Sequence, residues 1–381
     1  MRYIEKKHKI KNDEYTKYIY ESFDIQNQEE TSVKIPINFS ECKSFDWNIG
    51  VIYGGSGTGK TTLLKEFGEI TVDNFDYEKP LISNFYWLNP EEATFLLSAM
   101  GLASVPTWLR PFRLLSNGEQ YRASLAYKIG KAKQNEVVLI DEYTSVVDRD
   151  VAKAMSNAVQ KYIRKNNKKI ILASCHFDIM DWLLPDWIYS PIKGRLERAS
   201  LLWQRPTIEL QVFRCRYEAW DIFKQHHYLT ENLNKAAKNF IFLWNEKPIA
   251  FIGVLPFPNG SFQDAFRISR LVVLPDFQGL GIGFKILNYI SQLYKNIGKT
   301  MYIRTSNPGL YLGMQKRKEW VECNNSGVDR RGQTMFTSGP KSFRIAYSFR
   351  YENKPNDENT DIVTFNADAY RDVAQNQITL F

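Results

Sequence analysis

At 381 residues the chain exceeds a single ordinary domain and points to two; 44% hydrophobic and 24% charged residues are the composition of a globular protein. No apolar run is long enough to cross a bilayer and the lysine-rich start lacks the apolar core of a secretory signal, so a cytoplasmic location with no membrane partner is expected. Cys42, Cys175, Cys215 and Cys323 are scattered without a C-x-x-C pair, which argues against a zinc framework, and a net charge of +8 admits nucleic acid as a partner without selecting it.

Residues 1–45 are polar and aromatic with short alternating runs, such as 32–39, and read as strands flanking a nucleotide-binding core. The stretch 51–64 is an apolar strand, a glycine turn and a helix start. Its Gly54-Gly55-Ser56-Gly57-Thr58-Gly59-Lys60-Thr61-Thr62 has the G-x-x-x-x-G-K-[S/T] spacing of a P-loop. Glycines let successive N–H groups curl around phosphate oxygens, Lys60 reaches the β- and γ-phosphates, and the Thr61 hydroxyl ligates Mg²⁺. Residues 90–102 carry apolar residues at helical spacing with Gly101 as the stop. Leu115-Ser116-Asn117-Gly118-Glu119-Gln120 leads into another helix. Residues 136–142 form a buried strand ending in Asp141 and Glu142, followed by Asp148, a helix to about Lys165, and a strand ending at His176. Alternating strands and helices predict a parallel sheet with its chemistry at the strand C-termini.

Over residues 30–195 this order of motifs resembles the ABC-type ATPases. The resemblance implies ATP binding by Gly54 to Thr62 and by the signature residues Ser116 and Gly118, with Asn117 replacing a family glycine. It further implies that Asp141 and Thr61 hold Mg²⁺, that Glu142 polarises the attacking water, that Asp148 crosses the dimer, and that His176 contacts the γ-phosphate. In this family the signature of one subunit completes the ATP site of another, so an ATP-dependent homodimer is expected. No glutamine occurs between Thr62 and Ser116, where transporter ATPases use one, which weakens a transporter reading and is compatible with soluble ABC ATPases that act on DNA.

A boundary falls near 190–210. After it come an alternating strand at 208–214, a helix-like run at 217–228 holding His226, His227 and Tyr228, and a hairpin from 240 to 255 turning at Asn245. Next, a strand containing Leu271, Val272, Val273 and Leu274 leads into Gln278-Gly279-Leu280-Gly281-Ile282-Gly283 and a helix to Tyr294. A glycine turn opening a helix offers free N–H groups to an anion. Over 208–350 this resembles the GNAT N-acyltransferases, whose motif A is (Q/R)-x-x-G-x-(G/A). The resemblance implies that the Gln278–Gly283 turn grips the pyrophosphate of acetyl-CoA or another acyl-CoA, and that residues 271–274 bond the pantetheine arm. Where the family carries a tyrosine general acid this chain has Met314, with Tyr311 nearby but out of register; His226 and His227 are candidate bases or packing residues. Residues 351–361 read as a flexible polar linker, and Gln377-Ile378-Thr379-Leu380-Phe381 resembles the peptide that bacterial replication proteins insert into the sliding clamp.

The expected fold is therefore an α/β P-loop ABC ATPase domain at 1–200, an α+β GNAT-like domain at 205–350, and a tail at 351–381. The second half is distantly similar to the phage Mom acyltransferases, which modify adenine in DNA. The leading expectation is an ATP-dependent acyltransferase on DNA or a DNA-associated amine. Transfer to a protein or small-molecule amine, and a non-catalytic DNA- or clamp-binding ATPase with a degenerate GNAT module, stand beside it.

Overall fold

The computed structural model describes residues 2–23, 25, 26, 29–199, 203–227, 232–257, 264–324 and 346–364, and the backbone of 376–380. The chain forms two compact units that interleave in sequence: Met1–Val72, Ala132–Ser145 and Ile163–Gln204 make the first, and Asp73–Lys131, Val146–Tyr162 and Arg205–Phe381 the second. Among the described residues no helix is long and apolar enough to cross a membrane.

In the first unit a five-stranded sheet runs in the order Val137–Ile140, Lys169–Ser174, Ile49–Tyr53, Trp187–Ser190, Arg195–Arg198. The first four strands are mutually parallel, as their nearly continuous apolar runs require, and the last is antiparallel. Gly50 leaves room for the Trp187 ring, since an added Cβ would lie 2.0 Å from it. Trp187 then meets Trp47 edge-on at 5.5 Å and Phe67 in a stack at 6.0 Å, in a core closed by Ile35, Ile37 and Leu196. Because neighbouring strands are parallel, Tyr53, Ile140 and Ser174 end at one edge of the sheet. Arg2–Lys9 pairs antiparallel with Glu30–Ile37, as the alternating pattern predicts. Between them lies the helix Glu14–Ser22, absent from the sequence expectations although Asp13 and Thr16 form a capping box at its start.

The second unit holds an eight-stranded sheet, ordered Trp320–Glu322, Tyr347–Tyr351, Thr300–Thr305, Ala265–Val273, Lys247–Pro256, Lys238–Trp244, Ile208–Cys215, Asn376–Leu380. The expected hairpin joins Lys238–Trp244 to Lys247–Pro256 through Asn245 and Glu246, both with positive φ, the backbone of a type I′ turn. Ala265–Val273 pairs along its length with Lys247–Pro256. With Thr300–Thr305, however, it pairs in parallel only from Ala265↔Thr300 to Ile268↔Ile303. Beyond that point Thr300–Thr305 continues against Tyr347–Tyr351, so the sheet opens alongside residues 269–273.

Two expectations are corrected. The helix-like run at 217–228 is two 3₁₀ segments, Tyr217–Ile222 and Lys224–His226, while Tyr228 lies outside the described residues. Trp220 and Phe223 are three apart and both buried against Phe251 and Val272; three residues per turn puts them on one line. The tail is not a free linker: Gln292 donates to the Lys354 carbonyl, Asn296 accepts from the Asn356 amide, and Ile362 and Val363 are buried in the helix Asp361–Thr364. Asn376–Leu380 is an edge strand, antiparallel to Ile208–Cys215 in the register Gln377↔Gln211 to Leu380↔Ile208. Its backbone is committed to the sheet, which removes the sequence argument for a free clamp-binding peptide; Phe381 lies outside the described residues.

Candidate functional site

The first unit holds the glycine-rich motif of residues 54–62. Ile49–Tyr53 delivers the chain to Gly54, whose amide donates to the Ser174 carbonyl. The turn then passes through Gly57 and Gly59 with φ of 76° and 91°, values that favour glycine. At Gly59 an added Cβ would fall 2.5 Å from Ile35 Cδ1, so the close approach needs glycine as well. Gly55 and Ser56 are exposed on the turn. The Thr58 hydroxyl and the Lys60 ammonium both donate to the Gly55 carbonyl, at 2.9 and 2.7 Å, which folds Lys60 back over the loop. The helix Lys60–Leu64 follows, exposing Thr61, with Thr62 in its first turn.

Asp141 and Glu142 follow Val137–Ile140, and Asp141 Oδ1 accepts from the Glu142 amide at 2.9 Å. Glu142 has φ 49° and an exposed side chain. His176, two residues past Ser174, lies 3.1 Å from the Thr144 hydroxyl through Nδ1, which joins the histidine to the acidic turn. An exposed glycine turn, one lysine, one hydroxyl and one carboxylate at a parallel sheet edge fit a nucleotide with Mg²⁺, a hard cation that takes few protein oxygens beside phosphate. Among the described residues no group of three His, Cys, Asp or Glu could hold a metal ion.

In the second unit Ser116 opens the helix Asn117–Lys131 with a capping box: its amide donates to Glu119 Oε2 at 2.9 Å and its hydroxyl accepts from the Glu119 amide at 3.3 Å. Burial alone pushes the Glu119 carboxyl up, but the Ser116 amide, the Thr107 hydroxyl at 2.9 Å and the Arg122 charge bring it below its ordinary range. Gly118 follows Asn117 in the first turn. Asp148 caps the helix Arg149–Lys165, its Oδ1 accepting from the amides of Asp150 and Val151 at 2.9 and 3.0 Å.

A second glycine turn leaves the end of the open strand. Leu271, Val272 and Val273 lie along the sheet opening, and the Leu274 amide donates to the Ile249 carbonyl. Both ends of the Gln278 carboxamide have partners within the protein: Nε2 donates to the Val273 carbonyl at 2.9 Å and Oε1 accepts from the Ala103 amide at 2.7 Å. It shapes the turn from within. Gly279 and Gly281 have φ of 90° and 85°. Gly279 packs so closely on Arg149–Lys165 that an added Cβ would meet Ala158 Cβ at 2.7 Å, and its carbonyl accepts from Asn157 Nδ2. Leu280 and Ile282 are buried, whereas Gly281 is exposed and opens the fifteen-residue helix Ile282–Asn296, with Gly283 in its first turn against Val273. The atom nearest an added Gly281 Cβ is Lys161 Nζ, at 3.8 Å. Burial, with Arg205 nearby, brings the Lys161 ammonium down to about 8. Lys161, Arg122 and Asn157 were invisible to motif reading because they reach this turn from more than a hundred residues upstream.

His226 lies at the end of its 3₁₀ turn, with Nε2 3.2 Å from Gln225 Nε2. Partial burial lowers its pKa, against the opposing pull of the Glu119 and Asp276 carboxylates. His227 meets Trp220 edge-on at 5.7 Å. Tyr311, in the helix Pro308–Gln315 capped by Asn307, stacks on Tyr347 at 3.6 Å and its hydroxyl accepts from Gln315 at 2.6 Å. Partial desolvation and the Glu322 carboxylate raise the pKa of that hydroxyl. Met314 is fully buried.

These parts belong to an α/β protein with one glycine turn at the edge of a parallel sheet and a second beside an opening in a mixed sheet. Residues 201–311 match the model of the Acetyltransferase (GNAT) family. Solved structures similar to parts of the chain include acetyltransferases and ATP-binding cassettes. The IAA acetyltransferase from Bacillus cereus is 15% identical over 38% of this chain and 99% of its own, with a TM-score of 0.29. The ATP-binding cassette MJ0796, in a dimeric post-hydrolysis state bound to ADP and Pi, is 14% identical over 46% of this chain and 94% of its own, at 0.33. The cbiO1 protein of Clostridium perfringens, part of an ABC transporter complex, is 16% identical over 43% and 84%, at 0.31. A comparison with curated proteins finds no match.

Proposed function

We propose that the protein is an N-acyltransferase that also carries a Mg-ATP-hydrolysing cassette. The observation that carries the acyl-CoA half is the sheet opening beside residues 269–273, next to the exposed turn at Gly281. Backbone amides and carbonyls facing an opening need partners, and the two amides of a pantetheine arm supply them in strand-like geometry. The helix N-terminus at Gly281, with Lys161 alongside, offers N–H groups and positive charge to a pyrophosphate. His226, whose pKa partial burial lowers, is the candidate base for an acceptor amine.

In the cassette, residues 54–62 cradle the ATP phosphates; Thr61 and Asp141 would hold Mg²⁺, which neutralises phosphate charge when bound. Glu142 orients the attacking water and His176 faces the γ-phosphate. Ser116 and Gly118 complete the nucleotide site of a second copy, so the working form is an ATP-dependent homodimer. A net charge of +8 admits an anionic acceptor, and DNA or a DNA-associated amine is the acceptor we put forward. Incubation with radiolabelled acetyl-CoA, Mg-ATP and duplex DNA should transfer label to DNA, and a Lys60→Ala variant should lose it. Label on a protein or small amine instead overturns the DNA assignment while keeping the transferase.

One observation favours a second reading, acyl-CoA binding without transfer. Met314 is buried at the position of the family's general acid, and the Tyr311 hydroxyl already bonds Gln315. Acetyl-CoA that binds but is never consumed with any amine would select it.

A further inference from the structure

Arg122 stands one helical turn after the signature glycine Gly118 and is 1% exposed. Its Nε donates to the Gly118 carbonyl at 3.1 Å, and its Nη1 to the Gly101 carbonyl at 3.0 Å and to the Pro275 carbonyl. Its Nη2 lies 3.5 Å from a carboxylate oxygen of Asp276, a half-exposed residue. Pro275 and Asp276 begin the turn that continues through Gln278 to Gly281. One buried cation therefore fastens the start of the acyl-CoA turn to the signature helix.

Two further ties leave the turn no slack. Gln278 accepts from the Ala103 amide, and Asn157 donates to the Gly279 carbonyl. The backbones also approach closely: a Cβ at Gly101 would lie 3.1 Å from the Gln278 carbonyl oxygen. A buried guanidinium is always charged, and leaving it without its carbonyls is strongly unfavourable. The signature helix and the turn must then move together.

We propose that Arg122 is a positioning residue through which a nucleotide engaging Ser116 and Gly118 tightens acyl-CoA binding at the 275–281 turn. This rests on the proposed function, in which the turn binds acyl-CoA and the signature completes a nucleotide site. Engagement holds the helix start in one place; the turn, bolted to it, is pre-organised for the pyrophosphate. Coupling of binding sites is reciprocal, so acyl-CoA tightens nucleotide binding by the same factor.

The test titrates acetyl-CoA into the full chain with and without Mg²⁺ and the β,γ-imido analogue of ATP. The wild-type dissociation constant should fall about fivefold or more with nucleotide, the lower end of ordinary couplings. Arg122→Lys keeps the charge but loses the planar fork, and should bring the ratio of the two constants close to one. Should that variant not fold, Asp276→Asn alters the half-exposed partner and should reduce the ratio. A merely structural Arg122 would lower the melting temperature and leave the ratio as in wild type. A wild-type ratio in the folded variants, or acetyl-CoA binding that ignores nucleotide in wild type, overturns the coupling and leaves the acyl-CoA reading intact. No acetyl-CoA binding under either condition overturns both.

Discussion

Glu142 and Lys161 are two charged side chains with opposite settings. Glu142 is exposed at a strand end, beside an Asp141 whose Oδ1 is occupied by the Glu142 amide. Glu142→Gln removes the group proposed to orient water and leaves Asp141 and Lys60 in place. Phosphate release should fall about 10²–10⁴-fold while ATP binding persists and ATP-bound dimers accumulate in light scattering. Undiminished hydrolysis would remove Glu142 from the mechanism. Lys161 is partly buried beside the Gly281 turn, with its pKa down to about 8. An anion arriving there favours the charged form and draws the pKa back up. Acetyl-CoA binding just above pH 8 should therefore take up a proton and weaken as pH rises further. Calorimetry in buffers of different ionisation heat reads the uptake, and Lys161→Met should abolish it. Without ligand the sign reverses: between about 8 and the ordinary 10.5 the unfolded chain holds the proton, so stability rises with pH through that window.

At the scale of elements, the last strand departs most from its sequence expectation. Gln377 to Leu380 looks like a portable peptide because polar residues precede it, yet its backbone hydrogen-bonds to Ile208–Cys215. Five residues cannot announce their partner strand, which lies some 165 positions away in the chain. Deleting residues 376–381 should expose the edge of Ile208–Cys215 and lower the melting temperature; each kcal/mol lost costs about 2–4 °C in a domain of this order. An unchanged melting temperature would return the tail to the role of a free ligand. The run at 217–228 misled for a related reason: buried residues three apart fit a helix or a 3₁₀ turn, and packing of Trp220 and Phe223 on Phe251 decides.

Across the whole molecule, what was legible is what local backbone chemistry demands. Gly57, Gly59, Gly279 and Gly281 all take positive φ, within the two glycine turns that the P-loop spacing and the motif A resemblance pointed to. The hairpin at Asn245 and the apolar parallel strands were likewise written in short stretches. What joins the turns was not. Arg122 to Pro275 and Asn157 to Gly279 span 153 and 122 positions, and an arginine in a helix looks solvated until its burial is known. Gln278 matches a family ligand position, while its amide is spent inside the protein. On the proposed function, the phosphate contact then falls to the backbone at Gly281.

The central question is whether that turn receives acyl-CoA. Gly281→Asp puts a carboxylate where the pyrophosphate would sit, within reach of Lys161, so the variant has a local partner and should fold despite the positive φ. The direct measurement is calorimetric titration of acetyl-CoA into the full-length wild type and this variant. Saturable, one-site binding to wild type and none to the folded variant is the predicted result. Equal binding by both, or none by a folded wild type, would contradict it.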